Sequence, residues 1–425
     1  MKRALIDNWA LFLGMLGLMV ANGLLVTLLS IRGAELGFSS LTISIMQACY
    51  PLGALIGTIT VPLLIEKVGH IRVFSALASM VSVAAIVHIL TFDPYSWSAM
   101  RFMAGICFPG LYVVTESWLN AKSENRIRAQ VLSVYFIIQT IGPALGTALV
   151  AVPDPSGNLL FGLTSVLMSV AVVPLLLSGN RAPDYSAPDR MTVRRLYTVS
   201  PMAVLGIILM SAAVASWFIA LPLYALYQGF SAAAASGALV AAMIAGGLVQ
   251  YPIGWISDNT DRRYVVIGLC VVATCAAVWM AVDTAPARTV WGFAIIGGAT
   301  LPIYSILAAH ANDHLTPGQV VPASGTMAFL QQFGQVFGML LGPNLIAFGG
   351  GRGLQGMVIV VSLAVIFIAV ARRVRSEAPA ETGEVVHFGA MGLGQAGVLQ
   401  AETVAAEAEA EAASEAGAAG RNRQE

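Results

Sequence analysis

The chain alternates long apolar stretches with short polar breaks. A helix rising 1.5 Å per residue needs about 20 apolar residues to cross a bilayer. Runs of that kind fall near 8–31, 41–65, 73–92, 94–119, 129–151, 159–178, 200–228, 233–256, 264–283, 289–311, 320–347 and 353–371, which predicts twelve membrane spans. The breaks are short with one exception. "SGNRAPDYSAPDRMTVRRLYTVS" (178–200) is polar and rich in Pro and charge, as a linker between two halves would be. The pattern predicts a six-helix half over 1–178, a linker over 179–199, a second half over 200–375 and a tail over 376–425. The tail, with "AETVAAEAEAEAASEAGAAG", is low-complexity Ala/Glu and is expected to be disordered. The basic N-terminus leads into an apolar stretch too long for a cleaved signal and without an A-x-A site. It reads as a retained first span.

Composition agrees. The 425 residues are 57% hydrophobic and 10% charged, more apolar surface than a soluble core could hide, so the excess is expected to face lipid. The formal net charge is zero, which gives no footprint for a nucleic-acid partner. Cys49, Cys107, Cys270 and Cys275 lie in apolar runs without metal or redox spacing.

Lys and Arg set the expected orientation. With the N-terminus inside, 16 of the 22 fall on cytoplasmic segments and 4 on external ones, the other two lying in the distal tail. Both termini are then cytoplasmic, in a multi-pass membrane protein.

The halves carry matching residues at an offset of 192: Glu66 and Asp258, Gly105 and Gly297, Tyr112 and Tyr304, Asn120 and Asn312, Gln139 and Gln331, Gly142 and Gly334, Gly146 and Gly338. Two six-span repeats of equal orientation imply a pseudo-two-fold along the membrane normal, with a site between the halves near mid-membrane.

Over about 370 residues the sequence resembles the major facilitator superfamily. The loop "PLLIEKVGHIR" is similar to the family's first-half signature, with Glu66, Lys67 and Gly69 in place, His70 where a basic residue is usual, and Arg72 beyond it. The second-half loop "GWISDNTDRR" carries Asp258, Asp261, Arg262 and Arg263. The resemblance implies that these charges latch one face closed. An acid near a helix terminus with a base in reach can do this, and His70 would weaken the first latch or make it pH-sensitive. Arg101-x-x-x-Gly105 resembles the family's fourth-span motif, whose Arg is implicated in proton coupling. The order "RFMAG…YVVTES…R" resembles the bacterial YcaD-type branch, which implies no substrate. Gly142-Pro143-x-x-Gly146 is similar to the core of a proton-antiporter signature. Close helix packing explains the same glycines equally well.

The charges within span 4 need separate accounts. Asp93 reads as an N-cap with Pro94 at the first helical position. Arg101 then lies about 10 Å in from the external end, and Glu116 about 22 Å further along the axis. They are too far apart to pair. Glu116 is expected near the latch, with Arg72, Arg126 or Arg128 as partner, in a gating network or as a proton carrier. Arg101 has no acid at its depth. Its partner could be a carbonyl, a polar side chain, water or the substrate.

The scarcity of intramembrane acid points to a neutral or anionic solute. The cavity candidates are Asn22, Gln47, Tyr50, Tyr112, Gln139, Trp217, Tyr224, Tyr304 and Gln331, each of which could instead bond or pack between helices. His310 and His314 stand four apart in "HANDH", but no third ligand is evident and no metal site is expected. No Walker motif is present, so a proton gradient rather than a cofactor is the expected driving force. These readings converge on an all-α integral membrane protein of the major facilitator fold, with a central cavity. It would act as a monomer, moving a small organic solute by alternating access, with proton-coupled export favoured over uptake. A non-transporting receptor or scaffold is the alternative from another class. An intramembrane enzyme would need a catalytic constellation at one depth, and the sequence shows none.

Overall fold

The computed structural model describes residues 8–122, 125–152, 157–177, 191–282 and 286–375, with the backbone alone at 120–122, 125–130, 133, 286, 317 and 372–375. The tail and most of the linker therefore lie outside the described residues. The regular elements among those described are all helical. Spans 1 to 6 are Trp9–Glu35, Ser40–Val68, His70–Leu90, Pro94–Lys122, Asn125–Ala148, and Leu159–Val170 continued by Val173–Leu177. A short helix, Val193–Val199, precedes the second half. Spans 7 to 12 are Pro201–Tyr227, Ala232–Asp258, Arg262–Val282, Pro286–Thr300 continued by Ile303–Asn312, Pro317–Gly349, and Gly351–Arg375.

Eleven of these spans are long and apolar enough to cross a membrane. The other, span 11, is the longest at 33 residues, and Gln331, Gln332 and Gln335 dilute its apolar run. Observed ends differ from the expected ones by up to several residues. Span 5 begins at Asn125 rather than near 129, and span 11 runs from Pro317 to Gly349 rather than 320–347. Polar side chains continue the helices beyond the apolar runs that mark them in sequence.

The repeat is present in the backbone. Each span of the second half starts 192 residues after its counterpart: Trp9 and Pro201, Ser40 and Ala232, His70 and Arg262, Pro94 and Pro286, Asn125 and Pro317, Leu159 and Gly351. Turn chemistry repeats with it. Gly37 and Gly229 take left-handed φ of 78° and 82°, and Ser39 and Ser231 then cap spans 2 and 8. Packing repeats too. A Cβ at Gly105 would strike the Tyr50 carbonyl, and one at Gly297 the Ala242 carbonyl, its counterpart. Gly146 meets Val20 as Gly338 meets Ala212. These are small-residue contacts that let helix backbones touch.

Two spans are broken, a feature the apolar runs do not reveal. Pro174 has no N–H for the Val170 carbonyl, and span 6 is interrupted at Ala171 and Val172. Pro302 likewise cannot serve Gly298, and span 10 is interrupted at Leu301 and Pro302.

The halves meet through spans 2 and 11, 5 and 8, and 1 and 7. We call the face at which Trp9 enters span 1 proximal and the opposite face distal. Ala48, Ala215, Ile219 and Met339 form an apolar seam between the halves. Toward the distal face, Asn344 Nδ2 donates to Ser44 Oγ at 3.1 Å across the same boundary. Large apolar side chains such as Leu63, Val83, Leu248, Val360 and Phe367 point outward, and the outer surface is what a bilayer would solvate.

Candidate functional site

Span 4 starts where its capping chemistry dictates. Asp93 Oδ2 accepts from the Ser96 backbone N–H at 2.8 Å, with Pro94 at the first helical position. This fixes the register of the two charges. Arg101 is 1% exposed, and none of its three guanidinium nitrogens has a hydrogen-bond partner among the described residues. Its guanidinium lies 4.5 Å from the centroid of the Tyr50 ring, a cation–π contact in a desolvated setting. Cys49 and His88 are also within electrostatic reach. A layer of rings, Phe38, His88, Trp97 and Phe161, lies toward the distal end, with centroids 5.2–5.7 Å apart.

Glu116 is 3% exposed and faces inward. Its Oε1 accepts from the Tyr135 hydroxyl of span 5 at 3.0 Å. The sequence reading places it beside the proximal latch with an arginine partner. Arg72, one of the three proposed, is exposed and forms no ion pair among the described residues, while the side chains of Arg126 and Arg128 lie outside them. Around the carboxylate stand tyrosines. Tyr112 and Tyr135 interact with it, and so does Tyr304 of the opposite half. Tyr112 in turn interacts with Tyr50. Between the two charges that cannot pair directly lie Tyr50, under Arg101, and Tyr112, within electrostatic reach of Glu116.

Tyr304 also borders a cavity of about 70 Å³. By the roughly 10–15 Å³ that one water needs on this measure, it has room for about five to seven waters. Span 5 contributes Thr140. Span 7 contributes Met210, Ser211 and Val214, and span 8 contributes Met243, Gly246, Gly247 and Gln250. The break in span 10 contributes Thr300, Leu301, Tyr304 and Ser305, and span 11 contributes Gln331 and Gln335. Among the described residues the wall contains no Asp, Glu, Lys, Arg or His. The Tyr304 hydroxyl and Gln331 Oε1 have no hydrogen-bond partner among the described residues. A second cavity, of about 270 Å³, opens near the distal face beside the Arg32–Glu35 ion pair.

Several expected cavity residues sit elsewhere. Trp217 is fully buried against Phe218 and Phe293, and Tyr224 stacks edge-on to Phe293, both inside the second half. Gln47 donates to Ser30 Oγ at 2.9 Å and ties span 2 to span 1. Tyr50 lies under Arg101, and Tyr112 and Gln139 belong to the surroundings of Glu116. Asn22 is half-buried, with its Oδ1 unpartnered. Of the nine candidates, Tyr304 and Gln331 line the cavity. Gly142 and Pro143 abut Met19 and Gly23 of span 1.

The proximal loops differ. Arg262 donates to Asp258 Oδ1 at 2.9 Å, to Asp313 Oδ2 and Oδ1 at 2.7 and 3.3 Å, and to Ser257 Oγ at 3.1 Å. Asp261 Oδ1 accepts the Arg263 backbone N–H at 2.9 Å, fixing the start of span 9. Asp313, at the end of span 10, is the partner that sequence reasoning missed. It lies in "HANDH", where the histidines drew attention. His314 Nδ1 is instead bonded to the His310 carbonyl at 2.8 Å, and no cluster of three metal-ligating side chains occurs among the described residues. In the first half Glu66, Lys67 and Arg72 are exposed, and none of them forms an ion pair among the described residues. His70 is buried, its Nε2 bonded to Ser117 Oγ at 2.9 Å and its ring edge-on to Trp118.

A doubled six-helix bundle, with an internal cavity lined by the second half and by Thr140 of the first, has the architecture of a membrane transporter of solutes. The sequence profile of the Major Facilitator Superfamily matches residues 11–338 and 241–404, and the chain belongs to that superfamily. It is 27% identical over 339 residues to the MFS-type transporter YcaD of Escherichia fergusonii, covering 79% of this chain and 86% of the relative. It is 27% identical over 365 residues to an MFS-type transporter of Enterobacter sp. strain 638, covering 84% and 92%. Among solved structures, a bacterial homologue of the lysosomal transporter Spinster, inward-facing and occupied, superposes with TM-score 0.72 at 13% identity over 89% of this chain and 99% of that one. The nucleoside transporter NupG, as a D323A mutant, superposes with TM-score 0.70 at 13% identity over 86% and 99%. The chain is thus a multi-pass secondary transporter of that superfamily, similar to the YcaD-type relatives.

Proposed function

We propose that the protein couples solute movement to protons through Glu116, in a bacterial inner membrane with both ends cytoplasmic, and that it works in export. The observation that carries the coupling is the position of Glu116. It is a buried carboxylate on a tyrosine hydroxyl, and it interacts with Tyr304, which itself borders the cavity. A carboxyl group in low dielectric changes its proton affinity when its neighbours move. As the halves rock, the distance between Glu116 and Tyr304 across the boundary changes while the Tyr135 hydrogen bond within the first half persists. Proton affinity and cavity access are then linked. The Lys and Arg bias supports a cytoplasmic proximal face, and Gly142-Pro143-x-x-Gly146 supports export.

Everted membrane vesicles test this. With the lumen acidified and a pH-sensitive dye inside, fractionated metabolites from the same cells should dissipate the gradient with the wild-type protein and not with Glu116→Gln. Equal responses from the two proteins would remove Glu116 as the proton site. No response to any fraction with the wild type would remove coupling.

A further inference from the structure

We infer that the cavity beside Tyr304 selects a small uncharged polyhydroxy solute, such as a polyol or a sugar. The inference rests on the transport reading and adds the class of cargo. Three glutamines, Gln250, Gln331 and Gln335, share the wall with Ser211 and Tyr304. Each amide both donates and accepts, and so does each hydroxyl. A solute hydroxyl also does both, so it can satisfy any of them.

Two atoms await such a partner. The Tyr304 hydroxyl belongs to a residue only 9% exposed and is unbonded among the described residues, and Gln331 Oε1 is unbonded there as well. An apolar solute would leave both unpaired, at a desolvation cost. An ionised solute would meet no countercharge in the wall. The nearest ionised groups named above are already engaged outside it, Glu116 on Tyr135 and Arg101 over Tyr50. The wall also has apolar members, among them Met210, Val214, Met243 and Leu301. These suit the C–H groups of a ring or carbon chain whose hydroxyls bond to the amides.

The test is equilibrium binding by the purified full-length protein at fixed pH, followed as thermal stabilisation. The probes are a hexitol, a hexose, a monocarboxylate and a quaternary ammonium ion of similar size. We expect saturable stabilisation by the hexitol or the hexose, weakened about tenfold in Tyr304→Phe and in Gln331→Ala. The near-isosteric Tyr304→Phe removes one hydroxyl and guards against a variant that fails to fold. Stabilisation by the anion or the cation alone, by none of the four, or undiminished in both variants overturns the inference. No pH gradient is involved, and binding at fixed pH requires no net proton movement. A failure here is therefore distinguishable from a failure of proton coupling.

Discussion

His70 and Arg262 occupy the same position in the two halves, at the first residue of spans 3 and 9, and they do opposite things. Arg262 holds two carboxylates, one in its own loop and one at the end of span 10. His70 is bonded to Ser117 Oγ and lies against Trp118, while Glu66, Lys67 and Arg72 near it are exposed. The backbone frame is the same and the fastening differs. The family resemblance implies two latches. The second half has one made of ion pairs, and it closes within that half rather than across the boundary. The first half has a hydrogen bond and a ring contact in its place. Duplicated architecture therefore constrains where a latch can sit and leaves its chemistry open.

Substitutions can break or sharpen this contrast. The largest effect should come where the halves agree. Gly105→Ala and Gly297→Ala each push a Cβ into a neighbouring backbone carbonyl, and each should cost about 2–3 kcal/mol, read as similar falls in Tm in detergent. Unequal losses would break the equivalence of the repeats. Next comes Asp313→Ala, which leaves the buried Arg262 with Asp258 as its remaining carboxylate. Part of Asp313 is exposed, so about 2 kcal/mol is expected rather than the full loss of a buried pair. His70→Ala should cost about 1 kcal/mol for one hydrogen bond and its packing. The smallest and sharpest comparison is between the acids. Asp258→Ala should lose about 1 kcal/mol, whereas Glu66→Ala, exposed and without an ion pair among the described residues, should stay within about 0.5 kcal/mol. Equal losses at Asp258 and Glu66 would mean that the first-half latch is also built of charge.

Much of the fold could be read from the sequence because a bilayer fixes helix length and a duplication fixes spacing. The Gln, Tyr and Gly pairs at offset 192 revealed the repeat before any helix was placed. The capping of span 4 by Asp93 was also readable, since an N-cap is a local matter. The site was less accessible. That Arg101 and Glu116 are buried charges follows from hydropathy. Which way Glu116 points depends on how spans 4, 5 and 10 are rotated against each other, and no periodicity in an evenly apolar helix reports that. Trp217 and Tyr224 looked like cavity residues because they are polar-tipped aromatics on span 7, yet Phe293 of span 10 holds them inside the second half. Asp313 stands in "HANDH", but nothing local in the sequence names its partner. Its partner lies 51 residues away, and only the tertiary structure brings it near.

The interruption at Leu301 and Pro302 divides span 10 into two levers. The distal piece is docked on span 8, where Gly297 meets Ala242. The proximal piece ends in Asp313 and is therefore clamped to Arg262. Tyr304, in the first turn below the cut, travels with the clamped piece. A tilt of that piece swings the Tyr304 hydroxyl relative to the docked wall with little further loss of backbone hydrogen bonding, since Pro302 already leaves Gly298 unserved. The clamp at the membrane surface and the hydroxyl at the cavity are then two ends of one crank.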